Sequence, residues 1–300
     1  VPSWSAMITF NVSSYNPGPF VLIGIPFCVI YTVAVRGNCV LLYLVAVEQT
    51  VHEPMFFFLP MLAVTDLILS TATVPKALKI TFPGCLTQMF FLHYNPVLDS
   101  AILMAMAFDR YVAIGSPLRY ASILTPKTII KIAAGISFRS FCIIFPDIFL
   151  VARLPFCRTH IIPRTYCEHV GVARLACADI SINIWYGFCV PIVTVISDVI
   201  LITISYTLIL CAVFGLPSRD ARQKTLGTCG SHVCAILMFY TPSFFSILAH
   251  CFGHNVPLTF HIVFANLYIV VPPAMNPIVY GVKTKQIREK VILLFSPKSC

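Results

Sequence analysis

The sequence predicts an all-α membrane protein, a seven-transmembrane helix bundle followed by a short amphipathic C-terminal helix. Three observations lead to that fold class. The 300 residues are 58% hydrophobic and only 10% charged, with a mean hydropathy of +0.89, whereas about a quarter of a soluble domain's residues are charged. Seven apolar segments are each long enough to cross a hydrocarbon core of about 30 Å, which takes about 20 helical residues. The basic residues gather at alternate ends of those segments.

The segments run over 20–47, 55–80, 84–113, 128–151, 185–212, 223–250 and 257–280, within one domain covering 1–300. Their connections are short except for 152–184, so any function resides in the bundle, that loop and the opposite face. Arg110, Arg119, Lys127 and Lys131 flank the 3–4 connection, and Arg219, Arg222 and Lys224 flank the 5–6 connection. Lys283, Lys285, Arg288, Lys290 and Lys298 follow span seven. Such ends stay in the cytosol, which puts the amino terminus outside and the carboxyl terminus inside a multi-pass plasma-membrane protein. The net charge of +9 therefore reflects topology and not a nucleic-acid partner. The first twenty residues lack the basic start of a cleavable signal peptide, so span one is expected to direct insertion. Asn11-Val12-Ser13 is a glycosylation acceptor on the outer side. Residues 284–295 alternate basic and apolar positions and read as a helix lying on the inner leaflet of the lipid bilayer.

Ionisable residues inside a bilayer are costly and mark function. Asp66 lies mid-span, and Asp99 lies three turns before Arg110 in span three. Two carboxylates facing one cavity bind a cation or share a proton; alternatively each hydrogen-bonds to neighbours such as Asn38 and Asn276. Asp109-Arg110-Tyr111 closes an apolar run where charge meets water and a cytosolic partner. Of thirteen cysteines, most sit singly in apolar spans as small hydrophobes. Cys85, Cys157, Cys167 and Cys177 fall on the outer, oxidising side, where disulfides persist; they allow two bridges in three pairings. No Cys/His spacing supports zinc. No nucleophile elbow, His-Glu-x-x-His or phosphate loop is present, so an enzyme is not expected. A proton-coupled transporter would call for repeated halves, and none is found.

Several motifs, in order, carry a family resemblance: Gly37-Asn38; Pro54-Met55-Phe56-Phe57-Phe58-Leu59; Leu62-Ala63-Val64-Thr65-Asp66-Leu67; Met104 through Ile114; Ser205-Tyr206; Lys224 through His232; and Pro272 through Tyr280. Together they closely resemble an olfactory receptor, a rhodopsin-like G-protein-coupled receptor, and His250 through Asn255 with Lys283 through Arg288 resemble its fish-like class I. The resemblance implies an odorant-sensing receptor that binds a small volatile or semi-volatile organic ligand and activates a stimulatory, olfactory-type G protein. Arg110 would be held by Asp109 at rest and released to the G protein, assisted by Tyr206 and Tyr280, with Tyr111, Arg222 and Lys224 on the same face. Pro277 can kink span seven, and Asn276 beside it can satisfy a freed carbonyl. Asp66 and Asp99 resemble the family's sodium-binding carboxylates, the bound ion being the sole cofactor implied. The implied disulfides are Cys85–Cys167 and Cys157–Cys177. The implied pocket lies between the outer halves of spans three, five and six, with His93, Ser243, Ile247 and Cys251 as contacts and Tyr240 as a switch aromatic.

Departures from the pattern matter too. Gly24-Ile25-Pro26 runs straight into Phe27-Cys28, the 2–3 connection is short, Pro96 interrupts span three, and Arg36 stands where an apolar residue is usual. These leave open an impaired, pseudogene-like copy, alongside a chemoreceptor used outside the nose. At His250-Cys251-Phe252-Gly253 a cysteine stands where acid-binding relatives place arginine, which clamps a carboxylate with two charge-assisted bonds. A less acidic odorant, or another cationic anchor such as His250, His93 or Arg174, is therefore expected. Cys251→Arg should strengthen cyclic-AMP responses across a panel of short carboxylic acids, and an unchanged panel would place residue 251 away from the pocket.

Overall fold

The computed structural model describes residues 9–12, 17–47, 55–73, 79–157, 161–162, 166–215, 218–252, 258–283 and 285–295. Strand β1 (Thr9–Val12) precedes helix α1 (Pro17–Val47), which is followed by α2 (Met55–Thr73), β2 (Lys79–Thr81) and α3 (Phe82–Gly115). A short α4 (Tyr120–Ile123) leads to α5 (Pro126–Ala152); β3 (Ile161–Ile162) and α6 (His169–Ala173) lie in the long connection before α7 (Ser181–Phe214). Then come α8 (Arg219–Phe252), α9 (Leu258–Lys283) and α10 (Lys285–Phe295). Among the described residues, α1, α2, α3, α5, α7, α8 and α9 are the seven long helices and correspond to spans one to seven.

Local sequence sets the helix starts. The Thr81 hydroxyl accepts from the Gly84 N–H at 3.3 Å, and the Thr125 hydroxyl accepts from the Thr128 N–H at 3.3 Å, with Pro83 and Pro126 in the first turns. Both pairings satisfy a donor that the helix cannot. The second apolar segment, read as 55–80, holds two elements: α2 covers Met55–Thr73, and Lys79–Thr81 forms β2. That strand pairs antiparallel with β1, which pairs in parallel with β3. This small sheet ties the amino-terminal segment to the 2–3 and 4–5 connections on one face. Its two- to four-residue strands are too short to show alternation in the sequence.

The bundle is apolar inside and out. Phe58, Leu62, Ile102, Met106, Phe239 and Tyr280 pack in its middle with Ile287 of α10, while Phe138, Phe149, Trp185 and Phe244 remain exposed on the outer faces. Lipid is as apolar as these side chains, so polar contacts must decide how the helices sit. Hydroxyls on the outer faces bond their own helices, Thr32 to the Cys28 carbonyl at 2.8 Å and Thr203 to the Val199 carbonyl at 2.7 Å.

Pro277 lacks an N–H and so leaves the Pro273 carbonyl without its helical donor. The replacement comes from α1: Asn38 Nδ2 donates to that carbonyl at 2.9 Å and to Ala34 at 2.9 Å. Asn276, assigned this task from the sequence, reaches Asp66 instead. Approach of α1 to α9 requires Gly37, where an added Cβ would lie 2.7 Å from Pro277 Cγ. Gly37→Ala should therefore destabilise the protein by about 1–3 kcal/mol, seen as a lower thermal midpoint in detergent; an unchanged midpoint would mean this contact is absent.

Candidate functional site

Four polar layers run down the bundle from the sheet face to the opposite end. In the first, Cys85 of α3 is bonded to Cys167, with a Cα separation of 5.5 Å, and Cys157 to Cys177, with 5.9 Å. Gln88 strengthens the first tie by accepting from the Cys167 N–H at 3.1 Å and donating to the Ala72 carbonyl of α2 at 2.9 Å. The loop helix α6 then inserts His169, whose Nδ1 pairs with Asp147 of α5 and whose Nε2 lies 3.2 Å from Asn183 Nδ2 of α7. Gly187 makes room for that ring, since a Cβ there would come within 3.0 Å of Nδ1. Half-buried His93 lies within electrostatic range of Asp147, Glu168 and His169, and its Nε2 is closed off from solvent. The surroundings of His93 thus include α5 and the loop, beyond the three spans assigned to the pocket.

The second layer joins four helices. Tyr240 of α8 meets the Ser100 hydroxyl of α3 at 2.7 Å, and Ser100 donates to Asp198 Oδ2 of α7 at 2.6 Å. Arg139 of α5 donates to both oxygens of Asp198, at 2.7 and 3.3 Å. This fork is the bidentate geometry that guanidinium and carboxylate favour. Asp198 is 1% exposed, so its charge is tolerable in the bundle only because Arg139 and Ser100 hold it. Ser243, nearly a turn from Tyr240, donates to its own Phe239 carbonyl at 2.7 Å; its hydroxyl has only acceptor capacity left for a ligand.

In the third layer Asn276 Nδ2 lies 3.0 and 3.3 Å from the two oxygens of Asp66, and Thr65 hydrogen-bonds Asp99. Asp66 and Asp99 are close enough to interact electrostatically. Asn95, one turn from Asp99 on the same helix face, is 1% exposed, and among the described residues neither its Nδ2 nor its Oδ1 has a hydrogen-bond partner. Two facing carboxylates with an unsatisfied amide oxygen fit a monovalent cation bound through oxygen.

In the fourth layer Asp109 is fully buried; it accepts from the Tyr120 hydroxyl at 2.8 Å and lies 3.5 Å from Arg110 Nε. Tyr206 bonds His232 Nδ1 at 2.7 Å and stacks on its ring, and the Tyr280 hydroxyl points to Met106 Sδ at 3.9 Å. Both tyrosines are within electrostatic reach of Arg110, although these bonds engage them elsewhere. Tyr111 packs against Ile209, Val213 and Cys229, between α7 and α8. Arg222 stands in the first turn of α8.

Asn11 lies in β1, Lys224, Ile247 and Cys251 lie on α8, and the side chains of all four fall outside the described residues, as does that of His250. Arg174, named as a cationic anchor, is instead exposed at the end of α6. Sequence reasoning missed Arg139, Asp198, Asp147, His169, Gln88 and Tyr120. A detectable signal existed for one pair: opposite charges in two successive apolar spans, each about midway along.

Residues 27–298 match the family model described as olfactory receptor. Human olfactory receptor 52H1 is 77% identical, over 97% of this chain and 99% of its own length. Human olfactory receptor 52B2 is 60% identical over 94% of this chain and 93% of its own, and human olfactory receptor 52B6 is 52% identical over 91% and 84%.

The buried fork yields a contrast between single and double replacements. Arg139→Ala leaves Asp198 without its counter-charge and should cost about 3 kcal/mol, the low end of the range for a broken buried pair because Arg139 is 31% exposed. Arg139→Met with Asp198→Leu should recover most of that loss in thermal unfolding of the purified protein. A double variant as unstable as the single one would show that the pair is not the source of the cost.

Proposed function

Because this chain belongs to the olfactory receptor family, and so is an odorant-sensing G-protein-coupled receptor with seven transmembrane helices and not an enzyme, we propose that ligand occupancy is read by the Tyr240–Ser100–Asp198 node. The node carries the reading because it joins α8 to α3 and α7 through one hydroxyl. A ligand above it that draws Tyr240 away from Ser100 removes a tie between α8 and α3. At the other end α8 is held to α7 by His232 and Tyr206, while Asp109 and Tyr120 hold the DRY end of α3. Shifting α8 is then a two-state change whose populations the ligand sets by its differential affinity. The moved state exposes Arg110, with Tyr111, Arg222 and Lys224 beside it, to a stimulatory, olfactory-type G protein.

The ligand site lies beneath the 4–5 loop, with His93, Ser243, Ile247 and Cys251 as contacts. Asp147, paired with His169, and Glu168 stand among the groups around His93, so this part of the site favours a neutral odorant with a hydroxyl or carbonyl over a further carboxylate. Asp66 and Asp99, with Asn95 beside them, would hold a sodium ion, which supplies positive charge between the two carboxylates. Topology follows from the same frame: Arg119, Lys127, Lys131 and Arg219 are exposed at the end opposite the sheet. By the positive-inside rule the amino terminus and Asn11 are outside, and the carboxyl terminus is in the cytosol.

Two substitutions test the route. Arg110→Ala should abolish odorant-driven nucleotide exchange at unchanged surface display, and a full response in that variant would remove Arg110 from the coupling face. Tyr240→Phe deletes a contact worth about 1 kcal/mol and should raise ligand-independent exchange about fivefold, the factor corresponding to that energy.

A further inference from the structure

Span one carries a charge that the signalling route does not use. Arg36 is exposed on α1, whereas Ala34 and Asn38 on either side of it are fully buried, so its side chain leaves the bundle on the lipid side. It does not face Asp66. Among the described residues it has no ion pair or hydrogen bond, and residues 1–27 contain no carboxylate side chain. Thr32 and Tyr43 are exposed as well. At 100° per residue these two and Arg36 fall within an arc of about 40°, a polar seam running along a helix that is otherwise apolar where it meets lipid. Arg36 lies eleven residues before the end of α1 at Val47, about 16 Å at 1.5 Å per residue, which is half of a hydrocarbon core of about 30 Å.

An isolated guanidinium at that depth is costly, and such charges pair with another group in the membrane. We propose that the Thr32–Arg36–Tyr43 seam docks a transmembrane helix of another protein bearing an aspartate or glutamate at matching depth. A second copy of this chain cannot supply the carboxylate, because Asp66, Asp99, Asp147 and Asp198 are all buried inside their own bundle. Planar guanidinium holds a carboxylate with two bonds, and Tyr43 and Thr32 border the contact.

The test uses the full chain in phosphatidylcholine vesicles with a synthetic leucine/alanine transmembrane helix carrying one mid-span aspartate, association being read by energy transfer. The aspartate helix should bind at least about tenfold more tightly than its leucine counterpart, a factor that one desolvated ion pair readily supplies. The advantage should vanish in Arg36→Leu and persist in Arg36→Lys. Arg36→Leu replaces an exposed side chain with an apolar one, and its thermal midpoint should match or exceed that of the parent. Equal binding of the two helices, or binding unchanged in Arg36→Leu, would overturn the proposal. So would a stabilisation of the parent, but not of Arg36→Leu, by phosphatidylserine alone, which would assign the arginine to a lipid headgroup. Energy transfer between two receptor copies that is lost in Arg36→Leu would assign the seam to self-association and equally defeat it.

Discussion

A backbone carbonyl that its own helix cannot satisfy organises much of this bundle. In hydrocarbon no water is at hand to bond the Pro273 oxygen freed by Pro277, so the donor must come from a neighbouring helix. Asn38 provides it, and that bond fixes α1 against α9 at a distance only glycine at 37 allows. With α9 placed, Asn276 meets Asp66 of α2 and Tyr280 reaches Met106 of α3. One missing N–H thus propagates through four helices.

The other interhelical polar contacts follow the same logic. Apolar faces exchange lipid for protein at little gain, so they leave the rotation and depth of each helix weakly determined. Asp198 with Arg139, Asp147 with His169, and Ser100 with Tyr240 each join residues from different elements, and each has little freedom once buried. These pairs choose one arrangement from many that would pack equally well. Any shift of one helix against another must first compete with these ties.

Much of this was legible in the chain. Apolar length located the spans, since the bilayer imposes a minimum that few soluble helices match, and Asp109-Arg110-Tyr111 stood out because charge is rare in such runs. Partners were harder to see. Asp198 and Arg139 each look like a tolerated blemish in an apolar segment until the antiparallel packing of α5 and α7 brings them level. His169 is an ordinary loop residue until the disulfide and Gln88 anchor α6 over the bundle. Arg174, a candidate by its charge alone, lies exposed at the end of α6, a matter of a single helical turn that local sequence does not fix. The β-strands were invisible because Lys79-Ile80-Thr81 has no partner within its own neighbourhood, and pairing across 70 to 150 residues leaves no local pattern.

The Arg139–Asp198 fork has a consequence for biogenesis. The fourth span is synthesised before the fifth, so its guanidinium precedes Asp198, its counter-ion among the described residues. Released alone into lipid, α5 would carry an unmatched cation, and α7 would later carry an unmatched anion. Their charges are matched only when both helices lie side by side. The contact that positions Asp198 for the polar node thus also makes α5 and α7 depend on each other for a place in the bilayer.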